Sequence, residues 1–393
     1  MSNLNETMVL PEEPEVQAAV KQPKKKKKKK KKSGAFGRFI RRTLLLIFTI
    51  VLLAAGGLVM ILNTVFNGPS EAARDVLTMS LSEASATKWV PGIFLGDEKV
   101  AEIRNKSGAA LEEEFSDASQ VVINKDSALI DSDEWANYPD GIRIEEYKGE
   151  TYNAHIMIIR DPSLVYMATS TDGAFSTNIP GTRIHNEIVD EGAIAAINAG
   201  AFNDDGSANA YVGSIPAGLL IVNGEVRSNK YANLVPEEGF AGFTFDNILV
   251  VAKSMTADQA KELNIRDGCE FGPVLIMNGT VNQEAYNANS GYNPRTAIGQ
   301  RADGAVIFLC IDGRQASSLG GTYRDIIDIM VEYGAVNACN MDGGSSSVMM
   351  YKDSQGLYGT AGEYVMINSY SLLQSEPRRM PNFWMVRPAD QED

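Results

Sequence analysis

The side chains best suited to chemistry stand in one short run, Asn340-Met341-Asp342-Gly343-Gly344-Ser345-Ser346-Ser347. It offers a carboxamide, a carboxylate and three hydroxyls on a backbone that two glycines allow to turn sharply. Successive N–H groups in such a turn can converge on an anion as a nest, and serine hydroxyls beside them add donors. Read blandly, Asp-Gly-Gly-Ser is punctuation joining a helix to a strand. Three further polar clusters weigh against that: Asn198-Ala199-Gly200-Ala201-Phe202-Asn203, Asn293-Pro294-Arg295-Thr296 and Asp312-Gly313-Arg314. Each adjoins an apolar run that reads as a buried strand, and loops at the ends of a rigid sheet are where sites form. Singly they are ordinary, since Asp312-Gly313 is also a hairpin signal and an arginine such as Arg295 is by default a surface charge. The expectation is one site shared by all four.

Other chemistries are poorly served. The only histidines are His155 and His185, and neither has a carboxylate or cysteine at ligand spacing. A zinc site or a Ser-His-Asp triad is not expected, and no metal or cofactor is. The three cysteines (Cys269, Cys310, Cys339) form no Cys-x-x-Cys and read as small core residues. Chemistry must rest on carboxylates, arginines, amides and hydroxyls.

Elements that would position these groups begin near Tyr152. Short apolar runs alternate with Gly, Pro, Asn and Asp turns: 154–159, 164–169, 193–198, 218–222, 240–245, 248–252, 274–277, 296–300 and 305–311. Val and Ile are frequent and few runs are long enough for helices, so these are strands. Helical patterns interrupt them at 187–191, 256–263 and 323–333, the last ended by Gly334 as a C-cap signal. The fold class expected is α+β, a sheet-rich mixed domain with a few helices over residues 151–388.

Charge divides the chain. With 44% apolar and 22% charged residues a large core is available, and the net charge is −14. Residues 1–42 hold 10 Lys and 3 Arg against 4 Glu, a local +9 that leaves −23 for the rest. An acidic body argues against a nucleic-acid ligand. The Lys24–Lys32 run reads as a disordered, solvated tail. Residues 43–62 carry no charge, and a helix of that length spans about 30 Å, the thickness of a bilayer core. Arg38, Arg41 and Arg42 precede it and no charge follows until Glu71, which places the N-terminus in the cytoplasm and the body outside. The basic region and apolar stretch are longer than a signal peptide needs, and Ala84-Ser85-Ala86 lies well past the membrane exit, so an uncleaved anchor is favoured. Residues 63–150 read as a stalk and the first part of the ectodomain, with a helix over 69–88 and an irregular acidic stretch over 89–150.

In order along the chain, Asn198-Ala199-Gly200-Ala201-Phe202, Gly272-Pro273-Val274-Leu275, Asn293-Pro294-Arg295-Thr296-Ala297-Ile298-Gly299, Asp312-Gly313-Arg314, Gly320-Gly321-Thr322, Asn340-Met341-Asp342-Gly343-Gly344-Ser345-Ser346 and Pro377-Arg378-Arg379-Met380-Pro381-Asn382 resemble the phosphodiester glycosidase domain family. The family usually shows Asn-Gly-Gly-Phe-Phe where Ala199 and Ala201 stand here, a departure that bears on the sugar pocket. The resemblance implies hydrolysis of a sugar-1-phosphodiester, freeing the sugar and leaving a phosphomonoester. It implies Asp342 as first and Asp312 as second choice of catalytic carboxylate. Arg295, Arg314 and the Gly343-Gly344-Ser345-Ser346 nest would hold the phosphate, and Asn198, Thr296 and Asn340 would complete the substrate site. The partners implied are a sugar-phosphate-containing glycan or lipid-linked substrate and, through the anchor, the membrane; the setting implied is envelope or exopolysaccharide metabolism. A non-catalytic binder of cell-surface polymer, or a sugar or phosphosugar transferase in envelope assembly, are the rival readings.

Overall fold

The computed structural model describes residues 35–82, 87–104, 111, 113–123, 135–203, 212–235, 238–370 and 376–389; the lysine run and Ala84-Ser85-Ala86 lie outside them. The chain divides into two compact units, Met1–Met60 and Ile61–Asp393. Helix α1 (Ala35–Phe66) contains a 30-residue span, Gly37–Phe66, that is long and apolar enough to cross a membrane, with mean hydropathy 2.9. It starts ahead of the apolar stretch and takes in Arg38, Arg41 and Arg42, because arginine is a good helix former. Asn67-Gly68-Pro69 ends it.

In the second unit α2 (Glu71–Ser82) lies within the 69–88 stretch expected to be helical, of which residues 87–88 form a turn instead. The stretch read as irregular carries α3 (Val90–Leu95), α4 (Asp97–Arg104) and strand β1 (Ile142–Lys148). Pro91 and Gly92 disguised α3, but proline opens a first helical turn without loss of a hydrogen bond.

Among the described residues, three antiparallel sheets form the body. The first has seven strands in the order β1, β2 (Asn153–Ile159), β15 (Val306–Ile311), β14 (Arg295–Arg301), β16 (Ala335–Met341), β12 (Val274–Met277), β13 (Thr280–Val281). The second runs β10 (Leu249–Ala252), β9 (Phe240–Thr244), β11 (Ile265–Glu270), β7 (Gly218–Val222), β8 (Glu225–Lys230). The third runs β18 (Tyr364–Met366), β17 (Met349–Lys352), β4 (Ala195–Asn198), β19 (Asn382–Val386), β3 (Val165–Thr169). A small ribbon pairs β5 (Phe202–Asn203) with β6 (Ile215–Pro216). The fold is the sheet-rich α+β class expected.

The first sheet is covered on both faces, and its two-residue period sorts its side chains. Ala154, Ile156 and Ile158, with Ala297, Leu309 and Ala338, pack with Ile326, Ile327, Ile329 and Met330 of helix α8 (Tyr323–Glu332). The alternate residues Met157, Ile159, Ile298, Phe308, Cys310 and Cys339 face an inner core shared with Ile197 and Trp384 of the third sheet and Phe243 and Leu249 of the second. Helix α5 (Ile184–Asp190) seats Ile184 and Ile188 on the third sheet, and α6 (Ala257–Glu262) seats Ala260 on the second. Short α7 (Gln283–Asn287) adjoins α8.

Where β4 of the third sheet meets the first, one carboxamide holds them together. Asn198 is 1% exposed. Its Oδ1 accepts from Thr296 Oγ1 (2.9 Å) and the Val348 amide (3.1 Å), and its Nδ2 donates to the Asp342 carbonyl (2.6 Å). Replacing it leaves a hydroxyl, an amide and a carbonyl buried without those bonds. Asn198→Ala should therefore cost about 2–4 kcal/mol and lower Tm by about 5–10 °C in thermal unfolding. A Tm within about 2 °C of wild type would remove this junction from the structure's main supports.

A second expectation concerns pH. Glu187 on α5 is buried, and burial, with Glu191 and Asp190 nearby, raises its pKa from 4.5 to about 7. A raised folded-state pKa means that its contribution is fully present below the unfolded value and is lost as pH rises toward 7. Glu187→Gln should then leave stability unchanged near pH 4 and raise it by about 2 kcal/mol at pH 8, measured by denaturant unfolding. Equal effects at both pH values would exclude titration of Glu187 as the cause.

Candidate active site

Helix α8 feeds the central loop. Thr322 and Asp325 close a capping box at its start, and Gly334, with φ +81°, ends it before β16. Past Met341 the loop is tied on both sides: the Asp342 amide donates to the Ala199 carbonyl (3.0 Å) and the Gly344 amide to the Pro294 carbonyl (2.8 Å). Glycine is required at both positions of the pair. A Cβ at Gly343 would lie 2.9 Å from the Pro294 carbonyl oxygen, while Gly344 has φ +63° and backs onto the Arg314 guanidinium. The expected anion nest is not what this backbone builds. Gly343 is extended (φ −107°), and the Ser346 and Ser347 amides close a 3-10 turn onto the Gly343 and Gly344 carbonyls.

The strand period divides the expected site residues into two groups. Thr296 and Asp312 follow the inner-core phase of Ile298 and Cys310, while Arg295 and Asn340 follow the helix-facing phase of Ala297 and Ala338. On the inner side Thr296 is fully buried against Asn198, so neither is open to a ligand. Asp312, expected as the second catalytic carboxylate, is 2% exposed. Its Oδ2 lies 3.2 Å from His155 Nε2 and its Oδ1 accepts the Ser369 amide (2.9 Å). Both of its oxygens are taken up by contacts within the fold. The register that sets Cys310 opposite His155 made this pair, which the linear spacing hid.

On the helix-facing side Arg295 is buried over the Tyr323 ring at 4.5 Å. It donates Nε to the Gly321 carbonyl (3.1 Å) and Nη2 to those of Ser290 (2.5 Å) and Gly291 (3.1 Å). It therefore braces the segments leading into β14 and α8. Asn340 donates Nδ2 to the Gly272 carbonyl (2.7 Å), and its buried Oδ1 has no hydrogen-bond partner. Arg314 is exposed, in the left-handed region at φ +57°, and donates to Asn293 Oδ1 (3.1 Å).

Asp342, Asn340, Gly343, Gly344 and Arg295 line one cleft of about 1020 Å³. Asp342 is half-buried there. Sequence reasoning missed most of the remaining wall: Phe271, Lys253, Glu238 and Glu284 from the body, and Met79 and Ile103 from α2 and α4. Nothing in those segments signals a site on its own. Among the described residues no group of three or more His, Cys, Asp or Glu side chains is placed to hold a metal ion.

Comparison with known proteins follows the same residues. Residues 191–387 match the family model described as phosphodiester glycosidase. A 98-residue stretch, 24% of this chain, is 32% identical to the SPbeta prophage-derived uncharacterized protein YomE of Bacillus subtilis (strain 168) and spans 15% of that protein's length. Among solved structures, the catalytic domain of zebrafish N-acetylglucosamine-1-phosphodiester alpha-N-acetylglucosaminidase is similar at 18% identity and TM-score 0.48, over 64% of this chain and 85% of that one. A hypothetical protein from Synechocystis is similar at 16% identity and TM-score 0.43, over 64% and 63%. The matched residues cover half of the chain, from the end of α5 through β19, and include the whole loop around Asp342. This chain belongs to the phosphodiester glycosidase family.

Proposed function

We propose that the protein hydrolyses a sugar-1-phosphodiester in this cleft, with Asp342 as the carboxylate on which turnover depends. One observation carries the reading: the half-buried Asp342 lines this cleft inside the family match. In the reaction the bond from the anomeric carbon to the phosphate oxygen breaks. Phosphate is a fair leaving group, so little acid assistance is needed, and positive charge gathers at the anomeric carbon. A carboxylate beside that carbon stabilises the charge and acts as nucleophile or as base toward water. The products are the free sugar and a phosphomonoester. With Asp312 buried against His155, Asp342 is preferred to Glu238 and Glu284 of the cleft wall because it stands on the loop beside Asn340.

The setting proposed is extracytoplasmic. Helix α1 would cross the membrane once, with Arg38, Arg41 and Arg42 on the cytoplasmic side, and the enzyme would act on a sugar-phosphate-containing glycan or lipid-linked substrate of the envelope. Protease added to intact cells should release a fragment containing Asp342. Protection of that region until the membrane is broken would reverse the orientation.

Asp342→Asn tests the chemistry. The contacts of its main chain with Ala199 and Asn198 survive the change. Release of free sugar from a panel of sugar-1-phosphodiesters should fall by about 10²-fold or more, with Tm moving by no more than about 2 °C. A well-folded variant of near-wild-type activity would take the role away from Asp342.

A further inference from the structure

Arg378 belongs to a segment that the reading above leaves without a task, yet it reaches the central loop. Its Nη1 lies 3.5 Å from Ser345 Oγ, its guanidinium sits over the Phe202 ring at 4.7 Å, and its amide donates to the Tyr370 hydroxyl (3.2 Å). That hydroxyl donates in turn to the Ser345 carbonyl (2.5 Å). At the preceding residue of the same turn, a Cβ built on Gly344 would meet Arg314 Nη2 at 3.1 Å. Two guanidinium groups thus flank consecutive residues, Gly344 and Ser345. Burial pushes the Tyr370 hydroxyl pKa up, while the Arg378 amide and the charges of Arg378, Arg314 and Arg183 pull it down, so the three cations gather around one phenol. Arg183 is held by Glu376 at 2.8 Å. In a body whose net charge is strongly negative, this concentration of arginine needs a reason. The next hydroxyl, Ser346 Oγ, is fully buried and has no hydrogen-bond partner, a second sign that the turn is built for more than its own contacts.

We propose that Arg314 and Arg378 form a two-arginine clamp astride Ser345 that binds the phosphate group of the substrate. Planar guanidinium groups match phosphate oxygens with paired donors, which a lysine cannot do. Phe202 orients Arg378 by lying under it, and Tyr370 positions both the Arg378 backbone and the Ser345 carbonyl. The buried Arg295, committed to main-chain carbonyls, is relieved of that duty. The ligand is a phosphoryl oxyanion, and its identification as part of the substrate rests on the phosphodiester reading.

The test uses the full-length protein in detergent, with inorganic phosphate as the probe in calorimetry and a sugar-1-phosphodiester in turnover assays. Arg314→Gln and Arg378→Gln should each weaken phosphate binding by about 10-fold or more and raise KM for the diester more than they lower kcat. Turnover of an uncharged aryl glycoside should change by less than about threefold. Arg314 is exposed, so if Arg378→Gln does not fold, Arg314→Gln alone decides. Variants that melt like wild type and keep phosphate affinity within about twofold overturn the clamp. If both variants lose phosphate while wild type cleaves no diester, the clamp stands and the hydrolase reading falls. If wild type cleaves diesters and the variants leave KM unchanged, the hydrolase reading stands and the clamp falls.

Discussion

The central loop has its shape because a single buried carboxamide ties it down. Asn198 bonds to Thr296 on one sheet, to Val348 on the strand entering another and to the carbonyl of Asp342. An aspartate there could not donate to the carbonyl, and a leucine could serve none of the three. Around that junction, Asp342 and Gly344 dock on Ala199 and Pro294, so the loop is clamped from two sheets at once. The cost of leaving such groups unbonded in a low-dielectric interior is what makes the arrangement specific. The carboxylate of Asp342 can therefore stand in a cleft without the loop itself being loose.

The fold was legible in the sequence to the extent that it depends on local pattern. The runs at 154–159, 240–245 and 305–311 became β2, β9 and β15 because short apolar runs bounded by turn residues, rich in Ile, Val and Phe, can be buried on both faces of a covered sheet. Helix α8 was legible for the same reason, with Tyr323, Ile326, Ile327 and Met330 on one face and Gly334 as its stop. Strands β8 and β11 were not, since Glu225–Lys230 and Ile265–Glu270 carry charges and glycine that mask the period. The short helices α3 and α7 are held by tertiary contacts that no local window contains.

The site was half legible, and the reason lies in a parity argument. Read from the sequence, four polar clusters at strand ends point at one place. A strand sends neighbouring residues to opposite faces, so Arg295 and Thr296 cannot both serve one surface. Thr296 went inward to Asn198 and Arg295 outward to the carbonyls near α8. The same phase paired Asp312 with His155, a contact across 157 positions of chain. Which polar strand-end residue meets a ligand and which braces the fold depends on the register, and the register is a long-range property.

The charge of the body bears on the direction of the proposed reaction. Residues beyond 42 carry a net −23, so an anionic substrate meets repulsion until it is close. At physiological salt such fields fade over about 8 Å, and only contacts inside that range can reverse them. In the proposed reaction, recognition of a phosphodiester would therefore fall to adjacent guanidinium groups and donors rather than to long-range attraction. The same field acts more strongly on the product. A diester bears one negative charge, whereas the phosphomonoester left after cleavage bears about 1.5–2 near neutral pH. The acidic surroundings thus oppose the product more than the substrate at a distance, while a short-range clamp retains whichever is bound. In the proposed reaction, binding would thus rest on short-range geometry, with the net charge of the body opposing the product more than the substrate.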